Sequence, residues 1–246
     1  MKTFKHSGDL GDIVYSLSVI KVLGGGTLYL DIEAGKDDPY CQQQLSIWGG
    51  STKFNRSGFD FLLPLLKNQS YIHDVKIYNG ENIDFNLNKM RFTLMNQNNP
   101  KKQHCLLNAY HESFSLPDYD VNQPWLDCGD PIYLEKKIAV TRSPRYQGAY
   151  TFLAANRSII SEDGVFLGSR KEHDLFEWTF NTKIEFFDTN SALDVAKIIS
   201  GCEKVISNST FGLAVAVGLP NKSIIQEVDK VNRLTDFPNK KNMILV

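Results

Sequence analysis

The second half of the chain alternates short apolar strands with helices across very short turns, and no other feature restricts the fold as much. Lys137–Thr141, Gly164–Gly168, Ile184–Phe187, Lys204–Ser207 and Ser223–Gln226 read as strands. Tyr150–Ile160, Glu172–Phe180, Ser191–Ser200 and Phe211–Val217 read as helices between them. Strands joined through helices cannot pair as hairpins, so the order predicts a mostly parallel sheet covered by helices. Ser191 and Asp194 have capping-box spacing, with Leu193, Ala196 and Ile199 on one face. Leu175 and Trp178, three apart, support the helix over 172–180.

A similar unit opens the chain. Thr3-Phe4-Lys5 is a short strand, broken by His6-Ser7-Gly8-Asp9-Leu10-Gly11-Asp12. Ile13, Val14, Leu17, Ile20 and Leu23 then form a broad apolar helical stripe, ended by Gly24-Gly25-Gly26. Thr27–Ile32 is the next strand, which completes a βαβ unit. Between the two regular regions the pattern loosens. Residues 33–50 read as a long loop, and Phe59–Leu66 as a helix interrupted by Pro64. Tyr71–Tyr78 reads as a strand, and 81–101 as an ordered but irregular Asn-rich region beside a cleft. His104–Phe114 reads as a helix, and prolines at 117, 124 and 131 mark 117–135 as a linker. The expected architecture is α/β: two Rossmann-like domains, 1–130 and 131–246, facing a cleft.

Composition removes several classes. In 246 residues, 27 Lys plus Arg against 28 Asp plus Glu leave a formal charge of -1, which argues against a largely electrostatic nucleic-acid binder. No apolar run approaches the roughly 20 residues of a membrane-spanning helix, and the N-terminus lacks a signal-type apolar core. Cys41, Cys105, Cys128 and Cys202 are scattered without a CxxC pair, so free thiols in a reducing cytoplasm are expected. His104 and His111 have no third ligand at fitting spacing, so no metal site is expected.

The chemistry-bearing residues fall in turns after strands, where parallel sheets receive ligands. Asp12 has two readings: a cap for the helix starting at Ile13, or a carboxylate that takes a proton from an incoming hydroxyl. His6 is a local hydrogen-bonding residue or a proton shuttle. Asn208-Ser209-Thr210 either caps the following helix or, with its free N–H groups, seats a phosphate. Arg142 and Arg145 form a solvated basic turn or neutralise a diphosphate. The convergence of these turns on one side of one sheet favours anion binding.

HSGDLGDIVYSLSVIKVLGGG–TLYLD resembles the N-terminal motif of heptosyltransferase-like glycosyltransferases with the GT-B fold. TRSPRY, GVFLGSRKEHDLF and ALDVAKIISGCEKVISNSTFGLAVAVGLP resemble C-terminal segments of the same group. The likeness covers residues 5–32 and 137–228. It departs at Ser18, where the family commonly has proline, and at Asn208-Ser209-Thr210, where it has an NQS-like run.

The resemblance implies transfer of a sugar from a nucleotide-sugar donor to an acceptor hydroxyl, with inversion and without a metal or other cofactor. It assigns acceptor to the first domain and donor to the second. Asp12 maps to the general base. Arg142, Arg145, Ser209 and Thr210 map to the phosphate side, and Glu227 to ribose or base. Glu172 and His173 match a family EH pair. The acceptor is a glycan or another hydroxyl compound, with peripheral contact to a membrane-linked acceptor as one form. A non-catalytic nucleotide-sugar or glycan-binding protein is the alternative, and a nucleotide-sugar hydrolase or epimerase another.

Overall fold

The computed structural model describes residues 1–32, 54–95, 105–144, 150–228 and 235–246. The chain parts into two compact units, Met1–Asp120 and Val121–Val246. Proline punctuation placed the division after residue 130; by packing it falls after Asp120.

In the first unit, β1 (Thr3–His6) lies inside a four-stranded sheet. Its parallel neighbours are β2 (Gly26–Leu30) and β4 (Phe85–Asn86), and β3 (Ile72–Ile77) pairs with β2, giving the order β3-β2-β1-β4. The crossover from β1 to β2 is α1 (Leu10–Val22), whose buried residues run from Ile13 to Ile20. This helix begins three residues earlier than the apolar stripe suggested, so Asp9 takes the N-cap position and Asp12 lies within the first turn. Asp9, not Asp12, therefore holds the N-cap position, and Asp12 is the third residue of the helix. Gly24 and Gly25, at φ of 86° and 83°, make the left-handed exit into β2.

The helix α2 (Arg56–Lys67) runs through Pro64 and buries Phe59, Leu62, Leu65 and Leu66. Apolar burial on one face outweighs the single backbone bond that proline removes. The Asn-rich stretch is more regular than its composition implied. It forms β4, a 3₁₀ turn (Leu87–Lys89) and α3 (Met90–Met95), with Asn86 accepting the Asn88 N–H at 3.1 Å. Phe85 stacks on Phe4 at 5.1 Å between ring centres, and that contact holds the short strand against β1. After it comes α4 (Leu106–Glu112). The loop expected over 33–50 lies outside the described residues, as do His104 and Cys41.

The second unit holds a six-stranded sheet. Its strands are β5 (Ile138–Thr141), β6 (Gly164–Phe166), β7 (Glu185–Phe186), β8 (Lys204–Ser207), β9 (Ser223–Gln226) and β10 (Met243–Leu245). All pairings are parallel, in the order β10-β9-β8-β5-β6-β7. The helices are α5 (Tyr150–Ala155), α6 (Arg157–Asp163), α7 (Arg170–Phe180), α8 (Ala192–Gly201) and α9 (Phe211–Gly218). Ile138, Val140, Leu153, Phe166, Phe176, Phe180 and Ile206 build one apolar cluster between sheet and helices.

Three expectations change here. The helix over 150–160 is two helices, α5 and α6. Leu175 and Trp178 do not mark the buried face of α7: Trp178 is 80% exposed, and His173, Phe176 and Phe180 face inward. The expected linker, 117–135, contains the division after Asp120, but its part beyond that division is packed. Trp125 is 1% exposed, and the N–H groups of Trp125 and Leu126 both donate to the Gly218 carbonyl at 3.0 Å. Proline spacing marks irregular backbone, which is not the same as unpacked backbone.

Among the described residues, no helix is long and apolar enough to cross a membrane, and no group of three or more His, Cys, Asp or Glu side chains suits a metal ion.

Candidate functional site

Both sheets present polar turns at their carboxyl ends. In the first unit that turn is Ser7-Gly8-Asp9, between β1 and α1. The Gly8 N–H donates to His6 Nδ1 at 2.8 Å, so the ring proton sits on Nε2, which meets Tyr110 Oη at 2.6 Å. Both nitrogens of this fully buried ring are thereby committed within the unit. Burial first, and then the nearby Arg91 charge, push its pKa well below the ordinary histidine value. The geometry is that of a neutral imidazole bracing the turn, which is the local hydrogen-bonding reading of His6.

Asp12 is different. Its side chain retains 25% exposure, and Oδ2 stands 3.9 Å from Nη2 of the buried Arg91. Arg91 Nη1 donates to Asn88 Oδ1 at 2.6 Å, and the same oxygen accepts the Ser7 N–H at 3.1 Å. Asn88 thus ties the turn to the cation behind the carboxylate. Gly8 is required for this arrangement, since a Cβ there would lie 2.5 Å from His6 Cε1 and 2.8 Å from Arg91 Nη2. Burial, with Asp12 as a second cause, raises the Tyr15 phenol well above its ordinary pKa.

In the second unit, β5, β8 and β9 are adjacent, and the residues leaving them meet. Arg142 follows β5 and Glu227 follows β9. Arg142 Nε lies 3.0 and 3.1 Å from the two Glu227 carboxylate oxygens, with side-chain exposures of 5% and 1%. The basic turn is therefore not solvated at Arg142. Its guanidinium lies 5.0 Å from the Phe180 ring centre and 5.4 Å from that of Tyr150. Burial raises the Glu227 carboxyl above its usual range despite Arg142. Arg142 Nη2 is buried and meets no hydrogen-bond partner among the described residues.

Asn208 sits between them at the end of β8. Its Oδ1 accepts the Ser143 N–H at 3.1 Å and its Nδ2 donates to the Ser143 carbonyl at 2.7 Å, so it latches the β5 turn to the β8 turn. Ser209 Oγ bonds Thr235 Oγ1 at 2.6 Å. Thr210 occupies the N-cap position of α9 without a side-chain cap bond, and its hydroxyl meets Ser207 Oγ at 3.0 Å. These side chains build the turn, and beside them lies Arg142 Nη2, without a hydrogen-bond partner among the described residues.

The remaining expected residues are placed elsewhere or not described. Glu172 completes a capping box at the start of α7, accepting the Ser169 N–H at 3.0 Å and the Ser169 hydroxyl at 2.9 Å. His173 is buried, with Nε2 2.9 Å from the Ile184 carbonyl and its ring against Phe166 and Phe186. Neither is drawn into the Arg142–Glu227 cluster by these bonds. Arg145 lies outside the described residues. Sequence reasoning missed Arg91, Asn88 and Tyr110. The first two stood in a stretch whose asparagines read as turn formers, and no local spacing announces a partner about eighty positions away.

No protein-family model matches the chain, and no curated protein matches it. Solved structures do. A glycosyl transferase family 9 protein from Veillonella parvula DSM 2008 aligns with a TM-score of 0.61 at 12% identity, covering 99% of this chain and 86% of that one. E. coli heptosyltransferase WaaC with ADP-2-deoxy-2-fluoro heptose aligns at a TM-score of 0.49 and 11% identity, covering 100% and 93%. The first likeness supports an α/β fold with two parallel sheets, each flanked by helices, consistent with GT-B architecture.

Proposed function

We propose that this chain is a glycosyltransferase that moves a sugar from a nucleotide-sugar donor to an acceptor hydroxyl with inversion. The second unit takes the donor at the ends of β5, β8 and β9, and the first supplies Asp12 as general base. The observation that carries this reading is the buried Nη2 of Arg142, which meets no hydrogen-bond partner among the described residues, at the carboxyl edge of a parallel sheet. A buried guanidinium donor without a partner is costly, and an incoming diphosphate oxygen satisfies both its charge and its hydrogen. The fold similarity to a family 9 glycosyl transferase supports the same class.

In the reaction, the acceptor oxygen forms a bond to the anomeric carbon as the bond from that carbon to the diphosphate breaks. The acceptor proton passes to the Asp12 carboxylate, and the bonding electron pair leaves with the diphosphate. Arg142 and the N–H groups opening α9 stabilise the charge on the leaving group. Glu227 holds Arg142 by Nε, which leaves the terminal nitrogen for the ligand.

A panel of nucleotide-sugar donors, assayed for binding and turnover with wild type and Asp12→Asn, tests the proposal. Donor binding by both proteins with product from wild type alone is expected. Equal turnover by both removes Asp12 from the base role. Binding without turnover by either leaves a non-catalytic binding protein, and donor breakdown without acceptor indicates a hydrolase.

A further inference from the structure

The buried cation of the first unit belongs to no role assigned above. Arg91 lies on α3, far in sequence from the turn it supports, and nothing in the β1–α1 motif calls for it. It is 6% exposed, and a buried guanidinium is retained only where partners compensate its desolvation. One nitrogen is fixed on Asn88 Oδ1 at 2.6 Å, and another reaches toward Asp12 Oδ2 at 3.9 Å. Asn88 also holds the Ser7 N–H, so the turn carrying Asp12 and the cation behind it share one anchor. Gly8 lets the two approach, since any side chain there would strike Arg91.

We infer that Arg91 is a positioning residue, which anchors the Asp12 carboxylate from its buried side and keeps it charged while the exposed side meets the acceptor. The inference rests on the proposed base role of Asp12 only for its consequence in catalysis; the anchoring is a property of the folded chain. Other groups contribute to the field at Asp12. The α1 amino end favours the charged carboxylate, being a first-turn position. Tyr15 and Asp9 lie on or beside the same helix. His6 stands across the turn as a neutral ring bonded to Tyr110, and Cys105, at the start of α4, acts on Tyr15. Arg91 brings a full positive charge to within 3.9 Å of Asp12 Oδ2, so its removal moves Asp12. A base held in this way is weaker but stays ionised further into acid, which widens the pH range in which it accepts a proton.

The test is a carboxyl carbon-13 NMR titration of the full chain, with the Asp12 signal assigned from its loss in Asp12→Asn. Arg91→Gln is expected to raise the Asp12 midpoint by about one pH unit, roughly a tenfold change in its dissociation constant. Arg91→Lys, which retains the charge, moves it much less. A folded Arg91→Gln protein with the wild-type midpoint overturns the inference. If that variant does not fold, Asn88→Ala takes its place: it keeps the cation and releases its anchor, so a raised midpoint supports the inference and an unmoved one overturns it. Because the titration reads no turnover, failure of the transferase proposal and failure of this inference are separate results.

Discussion

Arg142 and Glu227 are bound to each other across the end of an intervening strand, with Nε 3.0 Å from one carboxylate oxygen and 3.1 Å from the other, both side chains almost wholly buried. The pair links β5 to β9 over β8. Removing one partner leaves the other as an uncompensated buried charge. Glu227→Ala is expected to cost about 3–5 kcal/mol in urea unfolding. Replacing both by apolar residues of similar size, as in Arg142→Met with Glu227→Leu, is expected to cost clearly less than the single change. Equal losses in the two proteins contradict a desolvated pair.

Gly8→Ala tests the turn at β1. The new methyl group meets His6 and Arg91 at distances that real side chains do not tolerate, so one of them must move. The expected loss is about 1–3 kcal/mol, and in a transferase assay turnover falls together with it. A variant of wild-type stability and activity shows that the turn is not held as described.

His111 supplies a pH dependence. Its Nε2 lies 3.0 Å from Ser18 Oγ, and burial lowers its pKa to about 4. In the unfolded chain the ring titrates near about 6.5. The unfolded state therefore binds more protons between these values, so the stability is fully present above about 6.5 and is lost as pH falls toward 4. His6, lowered in the same direction, adds to the slope. Urea midpoints measured through this range are expected to fall with pH in wild type and less steeply in His111→Gln. Identical slopes count against the assignment.

Trp125→Ala addresses the segment that proline spacing marked as a linker. A fully buried Trp makes contacts that alanine cannot replace, so the expected loss is about 3–5 kcal/mol. A change of only a few tenths in the thermal or urea unfolding free energy means that residues 121–126 do not belong to the core of the second unit.

Much of the fold is legible in local pattern. The stripe from Ile13 to Leu23, the Ser191–Asp194 cap and the five apolar runs after residue 137 each depend on neighbours within about one helical turn or one strand. Such signals survive in a linear reading because the physics behind them is short-ranged. The same holds for the location of polar turns after strands, which placed Asp12, Arg142, Asn208 and Glu227 at sheet ends.

Partnership was settled by folding. Arg142 reads from sequence as a solvated turn residue or a diphosphate contact, and folding brings Glu227 beside it, 85 positions later. His6 offered two nitrogens until Gly8 and Tyr110 took one each. Asp12 reads as a cap or a base because the apolar stripe starts after it, yet the backbone enters the helix at Leu10, which puts Asp9 at the N-cap and Asp12 in the first turn. Arg91 was hidden among asparagines until β4 placed its segment against β1. Periodicity records which face a residue occupies; the strand order of a parallel sheet chooses its neighbours, and burial then sets their charge. That long-range selection is why the elements could be written down from residues alone while the two polar clusters required the folded chain.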